Sequence, residues 1–241
     1  MRSFNKFFPP DVMTFTSGRR INFVLPKDGT VFNKQQKNFL QSVLKKSLPR
    51  MINIRQIHGR RVILAAPQYL RKNQITEADG AVTNLPNLPL AVRTADCLSA
   101  FIFDPPHKAI GLVHAGWKGT RKEIIPNAIR LLIKKFGTRP ADLKIAFGPS
   151  IRSCCYQVGE EFKRYFPKEV KQTPRGLYLD LPLANKRQLV ALGVKSKNIL
   201  DQEQCTCCSK NFFSYRRDGK KAGRMISVMM LNENQNLKRK S

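Results

Sequence analysis

Three residues of this 241-residue chain have types and placements that could do metal chemistry: His58, Cys97 and His114. His58 closes the apolar run "MINIRQIHG". Cys97 lies in "TADC" between two apolar stretches, and His114 ends "AIGLVH" just before Gly116. Two imidazoles and one thiolate suit zinc, and three protein ligands leave a fourth position for water or substrate, as in catalytic sites. The same donors with a weak axial ligand also describe a blue-copper centre. No short Cys-x-x-Cys or His-x-x-x-His clip is involved. On spacing alone, a buried thiol with two hydrogen-bonded imidazoles is the simpler reading.

The surrounding pattern predicts how these residues are carried. "NKQQKNFLQSVLKKSL" places Phe39, Leu40, Val43, Leu44 and Leu48 on one helical face. "MINIRQIHG" alternates Ile52, Ile54 and Ile57 and predicts a strand ending at His58. "LPLAVRTADCLSAFIFD" holds β-type apolar residues on both sides of "TADC", and "AIGLVHAGW" is a short buried-strand pattern ending at His114. Thr120 and Glu123 fit a capping box for a helix ending at Gly137, with Pro126 kinking or shifting its first turn. Beyond it the pattern predicts a strand in "LKIAFGPSI", a helix in "GEEFKRYF", a helix started by Asp180 and a last strand "RMISVMML". The expected fold class is α+β: a single layered domain of mixed β-sheet flanked by helices over residues 1–231, with a polar tail at 232–241.

Composition narrows the partners. Forty-four Lys and Arg against 16 Asp and Glu give a net charge of +28, which favours anionic ligands. The basic residues are spread from Arg2 to Lys240, and no stretch interleaves them with aromatics as a base-stacking platform would. The excess therefore reads as a solvated surface, with no specific nucleic-acid site. Pro9, Pro10 and Asp11 interrupt any apolar signal segment, and no apolar run approaches a membrane span. A cytoplasmic location without membrane attachment, and reduced thiols, are expected.

"QIHG", "TADC", "VHAGWKG", "GPSIRSCCYQVGEEF" and "CTCCSKNFFSYRRDGKKAGRM" resemble, in this order and over residues 50–231, the motifs of the YfiH family. It is also called the laccase-domain or polyphenol-oxidase-like family of purine nucleoside phosphorylases. The resemblance implies a YfiH-like fold and a catalytic zinc bound by His58, Cys97 and His114. It also implies phosphorolysis of adenosine, inosine, guanosine and methylthioadenosine, and hydrolytic deamination of adenosine, with purine nucleosides and phosphate as partners. Zinc lowers the pKa of bound water to about 7, which makes attack on C6 of a purine feasible at neutral pH.

Phosphorolysis needs phosphate beside the anomeric carbon, and Arg216, Arg217 and Lys118 are the candidates to hold it. Asp96 could orient a ligand or carry a proton, or serve as a turn residue. Trp117 packs beside the site, where it could also stack on a base. Cys205-Thr206-Cys207-Cys208 is metal-like, and with Cys154 and Cys155 could form a second zinc site. The family motifs carry some of these Cys without that role, so unligated thiols are the expectation. Two departures stand out: "FTSGRRINFVLPKDG" replaces the family's F-T-T-R-x-G-G-V-S segment, and Lys118 stands where Arg is common. Two other functions fit parts of the pattern. Copper-dependent phenol oxidation fits the donor set but needs a further imidazole cluster, for which only His107 is left. Nucleic-acid binding fits the charge alone.

Overall fold

The computed structural model describes residues 3–26, 31–44, 51–52, 54–66 and 76–233. A six-stranded mixed sheet lies at its centre. Its order is β13 (Ile199–Asp201), β9 (Lys144–Phe147), β7 (Leu98–Asp104), β8 (Ala109–Ala115), β5 (Gly80–Thr83) and β3 (Val62–Leu64). A second, antiparallel sheet comprises β1 (Val12–Thr16), β14 (Met225–Leu231) and β6 (Leu90–Thr94). Two small sheets complete the β content: β2 (Ile54–Arg55) with β4 (Thr76–Glu77), and β10 (Gln157–Val158), β12 (Gly176–Leu179) and β11 (Val170–Thr173). The helices are α1 (Lys34–Leu44), α2 (Trp117–Arg121), α3 (Ile124–Phe136), α4 (Glu161–Tyr165), α5 (Leu181–Ala191) and α6 (Tyr215–Asp218).

Strand pleating sorts these elements into layers. Along β7, Leu98, Ala100 and Ile102 join α3 and α5 in one core, while Phe101 and Phe103 point the other way. They meet Leu90 and Val92 of β6 and Met229 of β14 in a second core between the two main sheets. The opposite faces of β14 and β6, through Ile226, Val228, Met230 and Ala91, close a third core with Leu40 and Leu44 of α1. Helices, six-stranded sheet, three-stranded sheet and α1 thus stack as four layers. This matches the expected class of mixed sheet flanked by helices, with the β content divided between stacked sheets. Both central strands are buried along their whole length, which is why their sequences read as apolar runs without alternation. Each fully buried Leu, Ile or Phe contributes roughly 1.5–3 kcal/mol. No helix among the described residues is long and apolar enough to cross a membrane.

Several local expectations hold. Gly137 ends α3 at φ 73°, where its N–H donates to the Ile133 carbonyl, and Asp180 caps α5 by accepting from the Leu183 N–H. Two need correction. His58 does not end a strand: β2 stops at Arg55, and His58 lies in the following turn with φ 55°. Thr120 and Glu123 form no capping box, because the helical segment breaks between α2 and α3. Glu123 sits there in the left-handed region, and Thr120 instead hydrogen-bonds Asn185. Pro126 becomes the third residue of α3, where its missing N–H breaks no hydrogen bond within that helix. Leu48 and residues 234–241 of the expected tail lie outside the described residues.

Candidate metal centre and cationic cleft

Sheet register brings the three ligand candidates together. Leu98 pairs with Ala115 in the β7–β8 ladder, so Cys97, one residue before β7, falls beside Gly116, one residue after β8. A Cβ built on Gly116 would lie 2.9 Å from the Cys97 sulfur, so the absence of a side chain there makes room for it. Gly80 of β5 pairs with Val113, and the His114 N–H donates to the Asp79 carbonyl. Asp79 therefore stands against the histidine at the end of β8.

The Asp79 carboxylate then organises both imidazoles. Oδ1 bonds His114 Nδ1 at 2.9 Å and accepts the His58 backbone N–H at 2.9 Å, while Oδ2 accepts the Gly59 N–H at 2.6 Å. These bonds hold the left-handed turn that carries His58 and leave His114 Nε2 facing Cys97. The two imidazole rings meet edge to face with centroids 4.8 Å apart. One ligand atom from each of His58, Cys97 and His114 lies within 4.8 Å of the others. Two imidazole nitrogens and a sulfur so close, with one ring locked by a carboxylate, fit a single zinc or copper ion.

Electrostatics agree with that fit. Burial pushes the Cys97 thiol up, but the charge of His114 and hydrogen bonds from His114 and His58 outweigh it and bring the pKa down to about 6. Burial depresses His114, yet the Cys97 thiolate and the Asp79 carboxylate raise it to about 9. Burial raises Asp79, and the bonds from His114, Gly59 and His58 bring it below its usual value. The two shifts favour a thiolate–imidazolium pair resting on a carboxylate.

The cluster opens into a cleft of about 780 Å³ lined by Ile57, Trp117, Lys118, Tyr156, Arg216 and Arg224, among others. That volume lies in the range of small-molecule sites. Trp117 is braced by Phe162 and Tyr165, with ring centroids 5.0 and 6.1 Å away. The guanidinium of Arg216 sits over Tyr156, 5.4 Å from the ring centroid. Arg93 also lines the cleft, but its Nε and Nη2 donate to the Phe23 and Val31 carbonyls. Burial lowers its pKa to about 10, so it stays charged at neutral pH.

The other sequence candidates divide. Lys118 and Arg216 are exposed and line the cleft. Arg217 requires correction: its Nη1 donates to the carbonyls of Thr206, Cys207 and Ser209, its Nη2 to that of Phe212, and its Nε to Asp218. Those bonds turn the guanidinium into the scaffold of a loop and away from the cleft. Asp96 lines the cleft at φ 92°, accepting from the Thr206 hydroxyl at 2.6 Å and from the Arg216 N–H at 2.7 Å. Its carboxylate thus fixes where Arg216 leaves the backbone. His107 is exposed in its turn and bonded to Asp104. Sequence reasoning missed Asp79, Gly116 and Tyr156. A carboxylate preceding a short strand carries no sequence signal of its own, and only strand register shows its partner.

Comparison with known proteins gives the lineage. Residues 28–232 match the family model described as multi-copper polyphenol oxidoreductase laccase. Over 155 residues the chain is 39% identical to a purine nucleoside phosphorylase of Aquifex aeolicus, covering 64% of this chain and 72% of that protein. The crystal structure of YlmD from Geobacillus stearothermophilus superposes with a TM-score of 0.85 at 28% identity, over 94% of both chains. That of the hypothetical protein YfiH from Bacillus licheniformis gives 0.82 at 28%, over 92% of this chain and 94% of the other. With most of its length matched in sequence and in fold, the chain belongs to this laccase-like YfiH family.

Proposed function

We propose that the chain is a zinc-dependent purine nucleoside phosphorylase that acts on adenosine, inosine, guanosine and methylthioadenosine and also deaminates adenosine. The observation that carries this reading is the convergence of His58, Cys97 and His114 at a cleft whose rim bears Lys118 and Arg216. The relatives' names supply the reaction class. A zinc ion held by these residues supplies Lewis acidity and an activated water at neutral pH.

The chain's own groups do the rest. In phosphorolysis a phosphate oxygen bonds to the anomeric carbon while the bond to the purine nitrogen breaks, giving a sugar 1-phosphate and the free base. Arg216 offers the planar fork that binds phosphate in a bidentate manner, and Lys118 adds a point charge. Asp96 is a positioning residue that holds the Arg216 backbone. Trp117, Tyr156 and Ile57 give the purine and sugar apolar walls. In deamination, water replaces the amino group at C6 and ammonia leaves.

Multi-copper oxidation fits the chain poorly. It needs a further imidazole cluster, and of the three histidines only His107 remains, bonded to Asp104 in a separate turn. The test is a panel of nucleosides assayed with and without inorganic phosphate on protein of measured metal content. Phosphate-dependent release of free base is expected. Absence of base release from every purine nucleoside by zinc-loaded protein would refute the proposal.

A further inference from the structure

Four of the five cysteines expected to be unligated converge on one point. Sulfur atoms of Cys154, Cys155, Cys205 and Cys208 all lie within 4.8 Å of one another. Cys208 is 3.5 Å from Cys154 and 3.2 Å from Cys155. Four sulfurs at about 2.3 Å from a zinc ion stand about 3.8 Å apart at the corners of a tetrahedron. Both separations lie a little below that value, the whole set stays within 4.8 Å, and both exceed the roughly 2.05 Å of a disulfide. Cys205 and Cys208 have the Cys-x-x-Cys spacing of a zinc clip, and the fold supplies the other pair from the turn before β10. Cys207, between them, is outside the cluster.

We propose that Cys154, Cys155, Cys205 and Cys208 bind a second, structural zinc ion. Four soft thiolates with no position left open are the donor set of a closed tetrahedral site. Backbone N–H groups of Cys207, Cys208 and Arg152 point at the Cys205 sulfur. Such hydrogen bonds stabilise and orient a ligating thiolate. The +28 charge of the chain offsets the anionic centre that zinc and four thiolates form.

The site also has a role in the fold. The two ligand-bearing segments meet at an isolated bridge, Ser150 with Cys205, and at the ion pair of Arg152 with Asp201. The residue after Cys155 is Tyr156, which lies beneath the Arg216 guanidinium, and the residue after Cys205 is Thr206, which bonds Asp96. Zinc at this point fastens the part of the cleft wall that carries Tyr156 and Arg216.

Metal content of purified full-length protein grown with zinc tests the assignment. The parent chain is expected to hold two zinc ions per chain, and Cys97→Ala one. The pair Cys155→Ser with Cys208→Ser should hold one fewer than the parent, whereas Cys207→Ser should keep both. Cobalt(II) loaded into Cys97→Ala should give the intense thiolate-to-metal absorption of a tetrahedral four-sulfur site. The Cys97→Ala count stands even where the double variant fails to fold. Zero zinc in Cys97→Ala would overturn the proposal, whether intact mass shows free thiols or disulfides. So would iron in place of zinc, or two zinc ions retained by the double cysteine variant.

Discussion

Asp79→Asn tests whether strand register builds the metal centre. The carboxylate receives the Ile57, His58 and Gly59 N–H groups and the His114 ring nitrogen on its two oxygens. An amide keeps the size but replaces one oxygen by an NH2 that cannot accept. If the NH2 takes the Oδ2 position it opposes the Gly59 N–H, which is 2.6 Å away in the parent, and loosens the turn carrying His58. In the other orientation it faces His114 Nδ1, favouring the tautomer whose proton sits on Nε2, where the metal must bind. Either orientation loses an oriented imidazole. Removal of such a carboxylate partner lowers metal affinity about 10–100-fold, equivalent to about 1.4–2.7 kcal/mol. The assay is competition for zinc against a chelator of known affinity. Asp104→Asn serves as control, because Asp104 is equally buried but bonded to His107 and Thr138 instead. The reasoning fails if Asp79→Asn holds zinc within threefold of the parent, or if Asp104→Asn weakens it equally.

Gly116→Ala puts a methyl group 2.9 Å from the Cys97 sulfur on a backbone (φ −76°, ψ 173°) that alanine tolerates. Zinc affinity should fall by tenfold or more with little change in thermal midpoint, and unchanged affinity would refute the packing argument. Arg216→Ala should lower inosine phosphorolysis about ten- to hundredfold, the loss of about 1.5–3 kcal/mol of charge-assisted bonding, and adenosine deamination less. Arg217→Ala should instead destabilise the fold by about 1–3 kcal/mol as its carbonyl partners lose their donor, read as a drop in thermal midpoint of roughly 2–4 °C per kcal/mol. In the metal-free protein Cys97, at about 6, is deprotonated at pH 7.5, whereas His114, at about 9, is protonated. Zinc binding at that pH should release about one proton from this pair, falling towards none above pH 9. Calorimetry in buffers of different ionisation enthalpy measures it, and a release near zero at pH 7.5 would contradict the ion pair.

Much of the layout was legible in the sequence because burial leaves a direct mark on it. The runs over β7 and β8 are apolar because both faces of these strands are covered, and the α5 cap rests on one local carboxylate. Two expectations failed where a long-range contact overrode a local pattern. The alternation of Ile52, Ile54 and Ile57 extrapolates a strand to His58, but Asp79 captures three consecutive N–H groups and turns the chain after Arg55. Ile57 is left 47% exposed at the cleft as a result. Thr120 has the spacing of a cap, yet Asn185 of α5 takes its hydroxyl. For Arg216 and Arg217 the local sequence is nearly symmetrical. Only the path of the 206–212 loop, whose carbonyls converge on one guanidinium, separates the residue on the cleft from the one beneath the loop.

The two sides of the cleft are therefore built by different means. The metal side hangs on backbone: ladder register sets Cys97 beside Gly116 and Asp79 against His114, so its geometry inherits the rigidity of a sheet buried along both central strands. The cationic side hangs on side chains, with Asp96 reaching Thr206 and the Arg216 N–H, and Arg217 gathering the loop carbonyls. Cys97 and His114 at strand ends, and His58 on a turn tied to the same sheet by Asp79, keep their positions fixed, whereas a loop held by a few polar bonds can be re-aimed without disturbing the sheet. The placement of Arg216 is accordingly the part of this cleft that substitution can alter while His58, Cys97 and His114 stay in position. Lys118 lies instead on α2, directly after β8, on the side that the sheet holds in place.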